Sequence, residues 1–267
     1  MRLEKFSVSE PYIIKKNNFS ALNITTTQQE EKPKDEFELG KVLVFDKPLR
    51  WTSFDIVNKV RYLLRHYRGL KKIKVGHAGT LDPLATGVLI VCTGKKTKEI
   101  TSYQDHGKEY IATVKLGATT PSYDLETEPE NFKDTSLVTE NSLVETLKGF
   151  LGRQEQYPPV YSAKKIDGKP AFIFAHKGRG DEVKMRAQLI EITLLNLLEF
   201  NPLDKEFKIQ VACSKGTYIR SLAHDIGQKL GVGAYLTGLR RTRIGDIGLE
   251  NAISIENFEL FLAESQK

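Results

Sequence analysis

An α+β fold with a mixed, largely antiparallel central sheet and flanking helices is predicted from two strands and one irregularity of order. Tyr110, Ala112, Val114 and Leu116 alternate with Ile111, Thr113 and Lys115. Phe207, Ile209, Val211 and Cys213 alternate with Lys208, Gln210 and Ala212 in the same way. Period-two patterning marks strands covered on one face. Helical stripes are present too, but helices and strands do not follow one another in strict βαβ order, which argues against a parallel doubly wound sheet. No internal repeat is visible.

The elements follow in chain order. Residues 1–38 hold Asn17-Asn18, the run Thr25 to Gln29 and the charged run Glu30 to Asp35, with no sustained apolar period. Such a tract buries too little surface to offset the entropy of ordering, so a flexible N-terminal extension is expected there. It has no continuous apolar core for secretion, and Glu4 and Glu10 beside a lone Arg2 do not suit a mitochondrial presequence. Cytoplasmic residence is the expectation. Val42 to Phe45 reads as a short buried strand ending at Asp46-Lys47-Pro48, where proline stops pairing. Thr52 and Ser53 are N-cap candidates, and Ile56, Val60, Leu63, Leu64 and Tyr67 then recur at helical spacing. The outer face of that helix carries Lys59, Arg61 and Arg65, and the basic run continues through Arg68, Lys71, Lys72 and Lys74. A solvated face and a polyanion-binding face both fit.

Gly76 to Leu89 packs three glycines, a proline and two threonines around one carboxylate, Asp82, which describes a tightly turned loop. Val88 to Val91 anchors it as a core strand. Ser214 to Thr217 leads into a helix with Tyr218, Leu222, Ile226 and Leu230 on one stripe, closed by Gly231 at C′. An amphipathic stretch around Ile255, Phe258 and Phe261 comes last.

Composition narrows the function classes. The 267 residues are 40% hydrophobic and 28% charged, which excludes a wholly disordered or fibrous chain. No apolar run has the length of a membrane-spanning helix. Cys92 and Cys213 cannot make a disulfide framework or a clustered metal site. A net charge of +6 leans toward a polyanionic partner. Gly94-Lys95-Lys96-Thr97 is not a phosphate-cradling loop, since Leu89 stands where the first glycine belongs and Lys96 where a hydroxyl belongs. The five histidines, His66, His77, His106, His176 and His224, form no close ligand pair. What remains is an aspartate in a rigid loop beside a histidine and a basic stretch.

The string Gly76-His77-Ala78-Gly79-Thr80-Leu81-Asp82-Pro83-Leu84-Ala85-Thr86-Gly87 resembles the catalytic loop of the TruB family of tRNA pseudouridine synthases, G-H-x-G-x-L-D-P-x-A-x-G. Lys47-Pro48 is similar to the family's N-terminal Lys-Pro motif, and Lys108-Glu109-Tyr110 to its K-x-Y strand. Pro158-Pro159-Val160-Tyr161-Ser162-Ala163-Lys164-Lys165 is similar to its Pro-Pro-x-Tyr-Ser-Ala-x-Lys segment. Lys215-Gly216-Thr217-Tyr218-Ile219-Arg220 matches its K-G-T-Y-I-R block, and Leu239-Arg240-Arg241 its Leu-Arg-Arg ending. The motifs keep family order over about residues 40 to 260.

The resemblance implies a cofactor-independent isomerase without a metal. It would break the bond from ribose C1′ to uracil N1, turn the base and rejoin it through C5. Asp82 takes the catalytic position, attacking C1′ or removing the C2′ proton, and Arg220 is the cation that orients it. Tyr110 would stack on the uracil, with Tyr218 as a second active-site tyrosine. Read without the family, Tyr110 is a core aromatic. Leu239 would pack near the base, and His77 would fill the space that the flipped nucleotide leaves. The implied partner is the T stem-loop of tRNA, modified at uridine 55 by a monomer without membrane association. Lys47, Arg65, Lys72, Lys164, Lys215 and Arg241 would bind that RNA, with Lys165, Arg240 and Arg243 adding to the basic surface. A single catalytic domain over residues 39–267 is expected, without the C-terminal PUA domain that many members carry. Of the family's Thr-x-Thr-x-Asp pattern only Thr120, Ser122 and Asp124 have counterparts, and that loop's contacts stay open.

Overall fold

The computed structural model describes residues 34–166 and 168–265. Among the described residues, eleven strands and seven α-helices follow one another. The strands are β1 (Val42–Lys47), β2 (Val75–His77), β3 (Ala85–Thr93), β4 (Lys108–Leu116), β5 (Gly152–Gln156), β6 (Lys165–Ile166), β7 (Lys169–Pro170), β8 (Gln188–Asn201), β9 (Glu206–Cys213), β10 (Ala234–Ile244) and β11 (Ile247–Gly248). The helices are α1 (Glu36–Leu39), α2 (Ser53–Arg68), α3 (Ile100–Asp105), α4 (Glu140–Lys148), α5 (Ala171–Ala175), α6 (Ile219–Lys229) and α7 (Ile255–Glu264). Strands β6 and β7 form a separate hairpin. The others make one sheet in the order β1-β3-β10-β4-β9-β8-β5, with β2 beside β3 and β11 beside β10. Of the strand pairs among the described residues, β3–β10 alone is parallel. The expected mixed, largely antiparallel sheet is what forms.

The two strands legible in the sequence lie side by side, Lys108 opposite Cys213 through Lys115 opposite Glu206. On both, every second side chain is buried. That face packs under α4 and α6, through Leu143, Leu147, Leu222 and Ile226. Strand β3 is covered twice. Leu89 and Val91 join Phe45 beneath α2 and α7, while Val88, Ile90 and Cys92 join Val44, Ala78 and Ile244 on the other side. Burial on both faces is why Val88 to Cys92 reads as an unbroken apolar run instead of an alternation.

Caps fall where the residue types allow them. Thr52 caps α2 in a reciprocal capping box with Asp55, and Gly69 ends it in the left-handed conformation. Gly231, just past α6, takes φ +78°. Three expectations on extent need correction. The end of the segment read as flexible is ordered, because α1 inserts Phe37, 2% exposed, edge-on against Phe258 at 6.0 Å. A one-turn helix is too short to show a period; the stretch 1–33 lies outside the described residues. Strand β1 runs on through Lys47. The glycine-rich string is also not all loop, since Gly76-His77 pairs as β2 and Ala85 already belongs to β3.

A candidate active site at the open edge of β3

The chain between β2 and β3 is pinned on either side of Asp82. Ser53, in the first turn of α2, accepts a hydrogen bond from Leu81 N–H at 2.8 Å and donates its own to the Leu81 carbonyl at 3.2 Å. Arg50 N–H donates to the Pro83 carbonyl at 2.8 Å, and Ala85 N–H to that of Asp82 at 3.0 Å. Three consecutive residues of the loop are thus held by main-chain bonds, and the Asp82 side chain projects from a fixed point.

Arg220 reaches it from α6. The buried Gln156 side chain accepts from Tyr218 N–H at 2.8 Å and donates to the Tyr218 carbonyl at 3.0 Å. Ser221 Oγ donates to the Tyr157 carbonyl at 2.8 Å. These bonds fix the start of the helix. Arg220 Nε then lies 2.9 Å from Asp82 Oδ2 and 3.6 Å from Asp124 Oδ2, while Nη1 donates to the Ser122 carbonyl at 3.0 Å. The Nε–Asp82 approach is a close charge contact and not an aligned hydrogen bond. The side chains of Arg220 and Asp124 are 4% and 6% exposed, that of Asp82 37%. Asp82 is the open member of this trio. Its free side faces a cleft walled by Leu84, Ala85, Leu125, Leu236 and Leu239. A carboxylate held by a buried cation on one side and facing an apolar cleft on the other is suited to act on an uncharged group brought into that cleft.

The sequence placed Asp82, Arg220 and Leu239 together, and they are together. Asp124, whose contacts the sequence left open, joins them. Tyr110 lies on β4 in the same apolar cluster as Leu81 and Ala85, 8% exposed. Burial raises its hydroxyl pKa, the charge of Arg241 opposing. Tyr218, half-buried at the N-cap of α6, is raised by burial as well. Both phenols are neutral at neutral pH. His77, at the end of β2, is held below its ordinary pKa by burial and then by Arg241.

Two residues assigned to RNA contact do not reach the surface. Lys47 is 0% exposed and donates to the carbonyls of Pro48 and Trp51 at 2.9 and 2.6 Å. Burial brings its ammonium down to about 8, with the Asp82 charge opposing. Arg241 is 1% exposed, its guanidinium spent on main-chain carbonyls. Both are basic side chains that sequence reasoning places outside by default, and both are inside because the backbone offers them acceptors. Of the remaining basic residues, Arg240 pairs with Asp46, Arg243 with Glu250 and Lys215 with Asp105. Arg65, Lys72, Lys164 and Lys165 are exposed, Lys164 donating to Gln188 at 3.0 Å. Ser53 and Gln156, which fasten the two arms of the site, carried no signal in the sequence beyond an N-cap reading and a place beside the Pro-Pro segment.

Known proteins share this arrangement of chain. The family model described as TruB family pseudouridylate synthase (N terminal domain) matches residues 65–219, and that of a tRNA pseudouridylate synthase B C-terminal domain matches 220–267. The boundary between them is not a structural one, since β10 lies between β3 and β4. A tRNA pseudouridine synthase B of Phocaeicola vulgatus is 56% identical over 86% of this chain and 96% of its own. Its counterpart in Flavobacterium johnsoniae is 50% identical over 84% and 97%. Among solved structures, a chain of a Cbf5-Nop10-Gar1 complex superposes with a TM-score of 0.63 at 29% identity. That match covers 86% of this chain and 58% of the other. With the fold, both family models and relatives of this identity in agreement, the chain belongs to the TruB family of pseudouridine synthases.

Proposed function

We propose that this isomerase acts on tRNA, converting uridine 55 of the T loop to pseudouridine, and that it works as a monomer in the cytoplasm. The observation that carries the reading is the ion pair at 2.9 Å between a part-exposed Asp82 and a buried Arg220, at the mouth of an apolar cleft. A uridine turned out of its stack would enter that cleft as an uncharged ring, with Leu239 and Tyr110 replacing lost stacking. Asp82 would then meet the ribose, at C1′ as nucleophile or at C2′ as base. In either case the buried Arg220 guanidinium, 2.9 Å away, holds the carboxylate in a fixed direction. Tyr218 borders the reacting base as a neutral phenol, and His77 takes the place of the extruded nucleotide. Arg65, Lys72, Lys164 and Lys215 meet phosphates, Lys215 by exchanging Asp105 for RNA. The place of β10 between β3 and β4 supports reading residues 39–267 as one catalytic unit.

The test is to incubate purified protein with a tRNA transcript and with an isolated T-arm hairpin, and to map pseudouridine in each. Product at position 55 in both is expected. Asp82→Asn should form none while binding tRNA within a few-fold of wild type, since an amide keeps the loop's shape but is neither nucleophile nor base. Product at another position, or turnover in the Asp82→Asn protein, would overturn the reading.

A further inference from the structure

One edge of β3 is built in four pieces. At one end Val91 to Thr93 pair with β2, and Ala78 N–H donates to the Ile90 carbonyl at 2.9 Å. At the other end Ala85 to Gly87 pair with β10. Between them the Val88 carbonyl points into the gap from which the Asp82 loop departs, and no strand reaches it. Arg241 fills that gap. Its Nε donates to the Val88 carbonyl at 2.8 Å, Nη2 to the Gly79 carbonyl at 3.1 Å and Nη1 to that of Thr80 at 3.4 Å. One side chain thus joins the strand to two residues of the loop, within three positions of Asp82.

The surroundings are shaped for it. A Cβ on Gly87 would lie 2.1 Å from the Arg241 carbonyl oxygen, so the close approach of β10 requires glycine there. Gly79 takes φ +99°, which turns its carbonyl toward the guanidinium. Arg241 is also directly opposite Tyr110 in the β10–β4 register. Carbonyl partners, in place of a carboxylate, leave the cation's charge unneutralised beneath the site.

We propose that Arg241 is a positioning residue for the reaction: it serves as the missing strand partner at Val88 and holds the Asp82 loop at its working height, and it makes no contact with RNA. The proposal rests on Asp82 being the catalytic carboxylate. Loss of that tether lets the loop shift, and displacements of about 1 Å at a reacting group cost on the order of 100-fold in rate.

The test compares Arg241→Lys and Arg241→Met with wild type and Asp82→Asn. Single-turnover rates are measured at saturating tRNA per folded molecule, alongside tRNA affinity over a salt series. Arg241→Met should turn over roughly 100-fold more slowly, with KM within twofold and an unchanged salt slope. Arg241→Lys should fall between, keeping charge but losing the fork. Guanidinium added to the buffer should restore part of the Arg241→Met rate. A salt slope flatter by about 0.7–0.9 with normal turnover would make Arg241 a phosphate contact and overturn the proposal. A lowered melting temperature with wild-type turnover per folded molecule would overturn it equally. Should Asp82→Asn stay active, the reading of Asp82 itself fails; should Asp82→Asn be inactive and Arg241→Lys normal, only the tether fails.

Discussion

Arg220 is shared by two carboxylates of different standing. Asp124 is buried and nearly closed off, whereas Asp82 is open to the cleft. Removing Arg220 would leave Asp124 as an unpaired charge in the interior, so Arg220→Ala should destabilise the fold by ~3 kcal/mol. Its turnover should drop on the order of 100-fold or more. Thermal melting and single-turnover rates check the two effects separately. A second, half-buried acid has no ion-pair partner among the described residues. Asp225, on α6, is pushed up to about 6 by burial. Its folded pKa lies above its unfolded value of 3.8, so the native state binds more protons between about 4 and 6, and stability falls as pH rises through that window. Asp225→Asn should therefore raise stability near pH 7 by about 1–2 kcal/mol after screening by nearby solvent. Below about pH 4 the gain should vanish, a difference that melting curves across the pH range resolve.

At the scale of elements, what the sequence disclosed depends on how regularly each strand is covered. Strands β4 and β9 are buried on one face without interruption and were fully legible. Strand β8 was not, because bulges between Ile192 and Leu194 and between Leu197 and Glu199 break its alternation. In β10 the shifts fall at Leu236/Gly238 and Arg241/Arg243, with the same result. The glycines and proline of the Asp82 string disclosed a turned loop, while the role of Asp82 came only from the resemblance to the family. Ser53 and Gln156 could not be read, since their work is done toward backbone far away in sequence. Capping is local and was read correctly: Thr52→Ala should cost ~1 kcal/mol by freeing the N–H of Asp55. Helix α1 gives a contrasting test. Phe37→Ala should cost ~3–4 kcal/mol if the cavity beside Phe258 does not collapse, while removal of residues 1–33 should leave melting and turnover unchanged.

For the molecule as a whole, a net charge of +6 is spread over faces that differ in availability. Arg240, Arg243 and Lys215 are engaged in ion pairs, and Arg241 is enclosed. Arg65, Lys71 and Lys72, on and just beyond α2, are exposed. Binding of tRNA should weaken steeply with salt, and Arg65→Glu or Lys72→Glu should flatten the slope by about one phosphate contact each, or roughly 0.7–0.9 in log–log units. An unaltered slope in both would move the RNA to another face.

The placement of β10 between β3 and β4 sets a timetable for biosynthesis. A ribosome that has finished β3 and β4 has made two neighbours of a strand still more than a hundred residues from being translated, as β4 ends at Leu116 and β10 begins at Ala234. Until then both edges are bare, and bare edges invite pairing with other chains. The nascent protein also lacks Arg220 and Arg241 through most of its elongation, so the Asp82 loop has neither its ionic partner nor its tether. Chemical competence therefore arrives all at once, when β10 closes the sheet from Ala234 onward. Chains stalled before Ala234 should be inactive and aggregation-prone, a result that release of truncated nascent chains and sedimentation would show.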